Sequence, residues 1–216
     1  MIFDWRGTLV RTQSGREWAA DAFRRLGITA SADQLDDTVQ SIIDASGPNN
    51  LLDAPGLDAD AERHHRAYME LFSDAGLTNE LAAALYESES DFRRNPFSLD
   101  ASATIVALKA LGVRVGLLSD IHFDPRPAFQ VAGILDLIDA FALSYELGVQ
   151  KPDPAIFSVA LDMLAVPAEN TLMVGDRAVP DGAAVGMGMT TLLVPRLREV
   201  SQRRLHRVLM LCGISR

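Results

Sequence analysis

The polar side chains best suited to chemistry follow short apolar runs at widely separated points of the chain. They are Asp4, Ser119, Asp120, Lys151, Asp176 and Asp181. Carboxylates can act as nucleophiles or bind a hard cation, a hydroxyl can hold an oxyanion, and an ammonium group can neutralise an anion. Each residue alone is a weak signal, whereas their shared placement after apolar runs indicates one site.

The apolar runs that precede these residues predict the strands of a parallel sheet. Each run is short and almost continuously apolar, which is typical of strands buried on both faces. The runs cover residues 1–3, 113–118, 140–143, 171–174 and 190–194. Helical patterns at 101–111, with Asp100 as N-cap, and at 154–164, with Pro154 in the first turn, alternate with them. This order predicts a Rossmann-like, doubly wound α/β fold, in which ligands bind at the carboxyl ends of the strands.

A different pattern occupies residues 12–95, where no convincing strand is found. Helical periodicity is seen at 16–26, 31–45, 59–75 and 79–88, and Ser31 with Gln34 can form a capping box. We therefore predict an α/β core formed by residues 1–11 and 96–216. An all-helical cap, residues 12–95, is inserted after the first strand.

Composition restricts the classes of function. The 216-residue chain carries a net charge of −9, which disfavours binding to nucleic acid. It has one cysteine, Cys212, which we interpret as a buried packing residue, and no apolar run long enough to cross a membrane. The N-terminus has no charged leader or apolar signal core, so we expect a cytoplasmic protein. Basic residues in the tail are interpreted as the solvated face of a last helix: Arg196, Arg198, Arg203, Arg204 and Arg207.

The order of the polar residues resembles that of the haloacid dehalogenase superfamily of hydrolases, which are mostly phosphatases. The resemblance extends over the whole chain and includes the helical cap. The matching segments are Asp4-Trp5-Arg6-Gly7-Thr8, Leu117-Leu118-Ser119, Lys151-Pro152-Asp153-Pro154 and Gly175-Asp176 with Asp181.

The resemblance implies a role for each matching residue. Asp4 would attack phosphorus to form an aspartyl-phosphate, and Ser119 and Lys151 would hold the phosphoryl oxygens. Mg²⁺ would be bound by Asp4, the main-chain carbonyl of Arg6 and Asp176, with Asp181 at the metal or holding a metal-bound water. Asp120 and the side chain of Arg6 are further candidates for binding the substrate, which we expect to be a small phosphorylated metabolite.

One position departs from the family pattern, because Arg6 stands where phosphatases of the family have a second Asp. That Asp protonates the leaving group and then deprotonates the attacking water. Arg stays protonated at any usable pH and can do neither. Since general acid–base help contributes roughly 10²–10⁴-fold in rate, the sequence predicts a slow phosphatase or one whose substrate has a good leaving group.

Three alternatives follow from this departure. A metal-free haloacid dehalogenase has little need for Asp176 and Asp181, and it typically carries Asn where this chain has Asp120. A protein that only binds phosphate or a partner would result if Arg6 formed an ion pair with Asp181 or Asp4. A third alternative keeps catalysis but takes the proton from His122, three residues after Ser119, although a helix-start or surface position is the simpler interpretation.

A phosphonate-cleaving enzyme of the family would need a lysine in the cap, and residues 12–95 contain none.

The cap should select the substrate. Adjacent histidines His64 and His65 are interpreted as surface residues. Possible substrate contacts are Trp18, Asn49, Asn50, Tyr68, Arg93 and Arg94.

Overall fold

The computed structural model describes residues 1–48 and 51–213, so the candidate contacts Asn49 and Asn50 lie outside the described residues. Its centre is a five-stranded parallel sheet with the spatial order β3-β2-β1-β4-β5. The strands are β1 (Ile2–Phe3), β2 (Gly116–Ser119), β3 (Ala140–Leu143), β4 (Leu172–Gly175) and β5 (Thr190–Leu193). The first strand of the chain is thus the central strand, and the Rossmann-like α/β class is confirmed.

Helices cover both faces of the sheet, as the alternation of side chains along a strand requires. On β1, Phe3 packs into a cluster with Ile105 and Val208, whereas Ile2 faces the opposite cluster with Ile156. The helices that alternate with the strands are α5 (Ala101–Ala110), α6 (Arg126–Val131), α7 (Ser144–Leu147), α8 (Pro154–Leu164) and α9 (His206–Leu211). Among the described residues, none of the helices has the length and apolar character needed to span a membrane.

Four helices between β1 and α5 have a core of their own. They are α1 (Gly15–Arg25), α2 (Ala32–Ser46), α3 (Ala61–Asp74) and α4 (Asn79–Glu89). Leu71, Phe72 and Leu85 are fully or almost fully buried among them. The chain leaves and re-enters the α/β part side by side, because Arg11 N donates to the carbonyl of Pro96 at 2.9 Å. We call residues 12–95 the helical segment, and its status as a separate cap domain remains our proposal.

The predicted bounds and burial of the helices and strands agree with the structure in some places and differ in others. The capping box of Ser31 and Gln34 is present, and helix α8 begins at Pro154 as expected. Strand β2 begins at Gly116 rather than at residue 113. Strand β5, at one edge of the sheet, is partly or fully exposed along its length instead of buried on both faces, whereas β3 at the other edge is mostly buried.

Asp100 is the N-cap residue of α5 as predicted, but its side chain does not cap the helix, and the predicted solvent exposure of Arg204 is wrong. The Asp100 carboxylate makes no cap hydrogen bond and instead accepts from the backbone N–H groups of Arg204 at 2.6 Å and Leu205 at 2.8 Å. The Arg204 guanidinium is drawn inward, where it donates to the carbonyl oxygens of Gly7 and Thr8. This contact fixes the C-terminal segment against the loop after β1. Cys212, expected to be buried, is partly exposed.

Replacing Arg204 by Ala should destabilise the fold, because it removes charged donors from buried carbonyl groups. We expect Arg204→Ala to lower the free energy of unfolding by roughly 1.5–3 kcal/mol, the contribution of a hydrogen bond to a charged group. The measurement is urea denaturation followed by circular dichroism. The matched control is Arg203→Ala at the exposed neighbouring position. Equal denaturation midpoints for the two variants would contradict the assignment.

Candidate active site

Asp4 lies directly after the central strand, where its backbone N–H donates to the carbonyl of Val174 at 2.9 Å. Its side chain is 6% exposed and faces Lys151. The Lys151 ammonium donates to Asp4 Oδ1 at 2.7 Å and to Asp181 Oδ1 at 2.6 Å. The lysine side chain is completely buried. The structure therefore joins residues from three loops at one edge of the sheet into a buried carboxylate–ammonium–carboxylate group.

Asp176 completes a cluster of three carboxylates. Oxygen atoms of Asp4, Asp176 and Asp181 lie within 4.8 Å of one another. The Thr8 hydroxyl lies between two of them, at 3.1 Å from Asp4 Oδ2 and 3.3 Å from Asp176 Oδ1, and can donate to one at a time. Burial, with the charge of Asp4, raises the pKa of Asp176 to about 6. Burial also raises the pKa of Asp4, against the opposing effect of Lys151.

Two glycines allow the carboxylates to come this close. A Cβ atom on Gly7, which has a φ of +87°, would lie 2.4 Å from Asp176 Oδ2. A Cβ atom on Gly175 would lie 2.2 Å from the carboxylate carbon of Asp181. Side chains at these two positions would displace the carboxylates. The clustered carboxylate oxygens of Asp4, Asp176 and Asp181 form a donor set that fits a hard divalent cation such as Mg²⁺.

Asp120 and Arg177 hold the loops that carry Lys151 and Asp181. One Asp120 oxygen accepts from the Lys151 backbone N–H at 2.8 Å, and the other accepts from the Arg177 guanidinium at 2.9 Å. The Arg177 backbone N–H in turn donates to Asp181 Oδ2 at 2.8 Å. The carboxylate of Asp120 is thus engaged by protein groups. Ser119 is buried at the end of β2, beside Asp120.

A cavity of about 520 Å³ opens onto this edge of the sheet and is lined by Asp120, Lys151 and Arg177, among others. The Arg177 side chain is 41% exposed there, whereas Lys151 is enclosed. Burial disfavours the charged lysine, but Asp4, Asp120 and Asp181 together outweigh that effect and leave the pKa of Lys151 above its ordinary value. The cavity therefore presents one partly exposed guanidinium to an anion, beside the loop that carries the enclosed Lys151.

Arg6 does not pair with Asp4 or Asp181, contrary to the ion pair considered from the sequence. Its guanidinium points to the helical segment, where both terminal nitrogens contact the Glu89 carboxylate, Nη2 to Oε2 at 2.9 Å. Nη2 also donates to the Glu89 carbonyl at 2.7 Å, and Nε donates to Asn95 Oδ1 at 2.9 Å. Arg6 therefore joins the loop after β1 to the end of α4.

A second cavity, of about 200 Å³, lies beside this ion pair and is lined by Trp18, Tyr68, Arg6 and Glu89, among others. It brings together Trp18 and Tyr68, two of the residues considered as substrate contacts. The other pair, Arg93 and Arg94, contacts acidic residues instead. Arg94 lies 3.1 Å from Asp21, and Arg93 lies 3.4 Å from Asp91.

The interpretation of His64 and His122 as surface residues is wrong, whereas His65 is exposed as expected. The rings of His64 and His122 stack with centroids 3.5 Å apart and an interplanar angle of 12°. Adjacent residues of a helix point in different directions, so one histidine of the pair at the start of α3 faces solvent and the other faces inward. Which one would be buried is decided by the neighbouring elements.

Sequence reasoning did not select Thr8, Arg177 and Glu89. Thr8 ends the first motif and Arg177 follows Asp176 directly, so both positions carried a signal. Glu89 carried none, because its partner Arg6 is 83 residues away in sequence.

Comparison with known proteins identifies the family. A sequence model of the haloacid dehalogenase-like hydrolases matches residues 1–185. The chain belongs to this family. The match begins at the first strand and extends past Asp181. It thus includes the carboxylate–lysine cluster, which we define as Asp4, Lys151, Asp176 and Asp181.

Individual relatives differ in their activities. The chain is 32% identical over 108 residues to the haloacid dehalogenase-like hydrolase domain-containing protein 3 of Danio rerio, covering 50% of this chain and 45% of the relative. It is 32% identical over 133 residues to the phosphoserine phosphatase of Thermus thermophilus, covering 59% and 53%. The chain thus spans about half the length of these curated relatives. The crystal structure of a 2-haloacid dehalogenase from Pseudomonas syringae superposes with a TM-score of 0.63 at 22% identity, covering 98% and 97%, and shares the fold.

A methyl group at Gly175 should disrupt the site while leaving the sheet intact. Gly175→Ala would push the Asp181 carboxylate away from Lys151, and we expect activity to fall by about 10²-fold, the effect of misplacing a reacting group by about 1 Å. The control is Gly186→Ala, because a Cβ atom there meets nothing within 4 Å. Hydrolase activity and the Mg²⁺-induced shift of the melting temperature are the measurements. Wild-type values for Gly175→Ala would show that the close contact is unimportant.

Proposed function

We propose that this hydrolase is a Mg²⁺-dependent phosphatase of a small phosphorylated metabolite, with Asp4 as the nucleophile. The observation that carries the proposal is the buried group of Asp4, Lys151 and Asp181, with Asp176 adjacent. A metal-free dehalogenase would need Asp4 but has little need for the crowded carboxylates of Asp176 and Asp181. A protein that only binds a partner could use Lys151 to hold the surrounding loops together but has little need for the further carboxylate of Asp176.

Mg²⁺ would be held by Asp4, Asp176, the main-chain carbonyl of Arg6 and, directly or through water, Asp181. When bound, it would neutralise charge on the phosphoryl group and help to orient it. The donor set consists of oxygens, which this ion prefers.

The residues of the chain bind the phosphoryl group and attack it. Lys151 offsets the negative charge of Asp4 and would donate to one phosphoryl oxygen, and the hydroxyl of Ser119, at the end of β2, would donate to another. Asp4 forms a bond to phosphorus as the bond to the leaving oxygen breaks, which gives an aspartyl-phosphate. Attack of water on that phosphorus then releases phosphate and restores the Asp4 carboxylate. Asp120 supports this arrangement through the Lys151 backbone.

The contacts of Arg6 favour substrates whose leaving group needs no proton. Its guanidinium is committed to Glu89 and cannot donate a proton to a leaving group. Substrates whose leaving group departs without protonation, such as acyl phosphates or activated esters, should therefore react faster than simple alkyl phosphates.

The nucleophile is tested by Asp4→Asn. We expect wild-type protein with Mg²⁺ to hydrolyse aryl phosphates and members of a panel of small phosphorylated metabolites, and both Asp4→Asn and treatment with chelator to abolish this activity. Asp162→Asn, an exposed carboxylate on α8, is the control. Phosphate release is the measurement. Halide release from 2-haloacids without metal would favour the dehalogenase, and phosphate binding without turnover would favour a binding protein.

The missing acid is tested by changing Arg6 together with its partner. Arg6→Asp alone would place a carboxylate beside the nearly buried Glu89, so its effect on rate would be mixed with destabilisation. We expect Arg6→Asp/Glu89→Gln to raise the rate on alkyl phosphates, toward the roughly 10²–10⁴-fold of general acid–base help.

The control for this pair is Glu89→Gln alone, which removes the charge of the carboxylate but supplies no acid. Steady-state rates on alkyl and aryl phosphates should separate the two effects, since aryl leaving groups need less protonation. Failure of the double variant to exceed Glu89→Gln on alkyl phosphates would show that the absent Asp is not what limits turnover.

A further inference from the structure

A second cluster of metal-ligand side chains lies between the helical segment and the α/β part, apart from the carboxylate–lysine cluster. It consists of Asp58, just before α3, His64 in the first turns of α3, and His122 in the loop after β2. His64 is 1% exposed and His122 is 5% exposed. One nitrogen from each ring and one Asp58 oxygen lie within 4.8 Å of one another.

The two rings present one nitrogen each toward the carboxylate. His64 Nε2 lies 3.6 Å from Asp58 Oδ1, and His122 Nδ1 lies 3.7 Å from the same oxygen. The opposite nitrogens already have hydroxyl partners, His64 Nδ1 with Tyr86 at 3.2 Å and His122 Nε2 with Ser90 at 3.0 Å. Metal-binding histidines usually have such a partner on the other nitrogen, because it fixes the tautomer and the ring orientation.

His122 Nδ1 makes the cluster unusual. It is buried and has no hydrogen-bond partner among the described residues, since 3.7 Å to Asp58 is too long for a hydrogen bond. A buried polar atom without a partner calls for an explanation, such as a bound ion. This nitrogen faces Asp58 and His64. An ion bound to it would therefore also lie within reach of these two further ligands.

The charge states suit a metal ion. Burial, with the adjacent His122, lowers the pKa of His64 to about 4, so this imidazole is neutral near pH 7 and keeps a free lone pair. Burial opposes ionisation of Asp58, but His122, His64 and Arg6 outweigh it and lower the pKa of this carboxyl. A neutral imidazole and an ionised carboxylate are the forms in which these side chains bind metals.

We propose that Asp58, His64 and His122 bind a divalent transition-metal ion of the Zn²⁺ type. Two imidazole nitrogens and one carboxylate oxygen are a donor set that Zn²⁺ accepts, whereas Mg²⁺ prefers oxygen ligands alone. The two rings lie in nearly parallel planes, so binding one ion in the plane of both rings requires them to tilt out of full stacking. The ion joins two residues of the helical segment to one residue of the α/β part and holds the two parts together near Arg6 and Glu89.

The test is titration of the full chain, treated with chelator, with Zn²⁺ in a calorimeter and with Co²⁺ in a visible absorption experiment. We expect Zn²⁺ to bind with high affinity and Co²⁺ to give the absorption of a site with nitrogen ligands. His64→Gln and His122→Gln should each weaken Zn²⁺ binding by more than the roughly 10–100-fold caused by loss of an outer-shell partner. His65→Gln is the matched control, because it changes the exposed neighbouring histidine.

Further variants separate this site from the active site and from folding defects. Asp4→Asn should keep the Zn²⁺ affinity and the Co²⁺ spectrum while removing phosphatase activity, so the two proposals can fail independently. Asp58→Asn, at a partly exposed side chain, serves as a third ligand variant if a histidine variant does not fold. Zn²⁺ should raise the melting temperature of the wild type and of His65→Gln more than that of the ligand variants. Equal Zn²⁺ affinity in all folded variants, or no binding to the wild type, would overturn the proposal.

Discussion

The buried Lys151 ammonium is the interaction on which the arrangement of the site depends. Removing a charge from water is costly, and the cost is met only when partners of opposite charge lie at hydrogen-bond distance. Asp4 and Asp181 provide these partners from the ends of β1 and β4, and Asp120 holds the lysine backbone from the end of β2. The same group that would neutralise an anion thus also fixes three loops relative to one another.

Arg6 belongs to the first motif, but its contacts are structural. The guanidinium fork matches the Glu89 carboxylate with two contacts and reaches its carbonyl as well, which is a geometry that Lys could not reproduce. Arg6 therefore provides a link between the loop after β1 and the helical segment. A change at Arg6 would therefore also remove this link.

A layer of charged and aromatic side chains lies where the helical segment meets the α/β part. Glu89 and Asp58 come from the helical segment, whereas Arg6 and His122 come from loops at the strand ends. Polar groups at such a boundary favour particular relative positions of the two parts, because each misplacement leaves a charged group without its partner. The two candidate cation positions differ in chemistry, one offering oxygen ligands and the other nitrogen and oxygen.

The α/β pattern and the position of Asp4, Lys151, Asp176 and Asp181 at one edge of the sheet both follow from the amino-acid sequence. Short apolar runs identify parallel strands, and the carboxyl ends of parallel strands meet on the same side of a sheet. The tertiary structure alone decided the partner of Arg6, the burial of His64 and the inward position of Arg204. Each of these depends on which distant elements pack together, and periodicity, propensity and motif spacing describe only the chain near a residue.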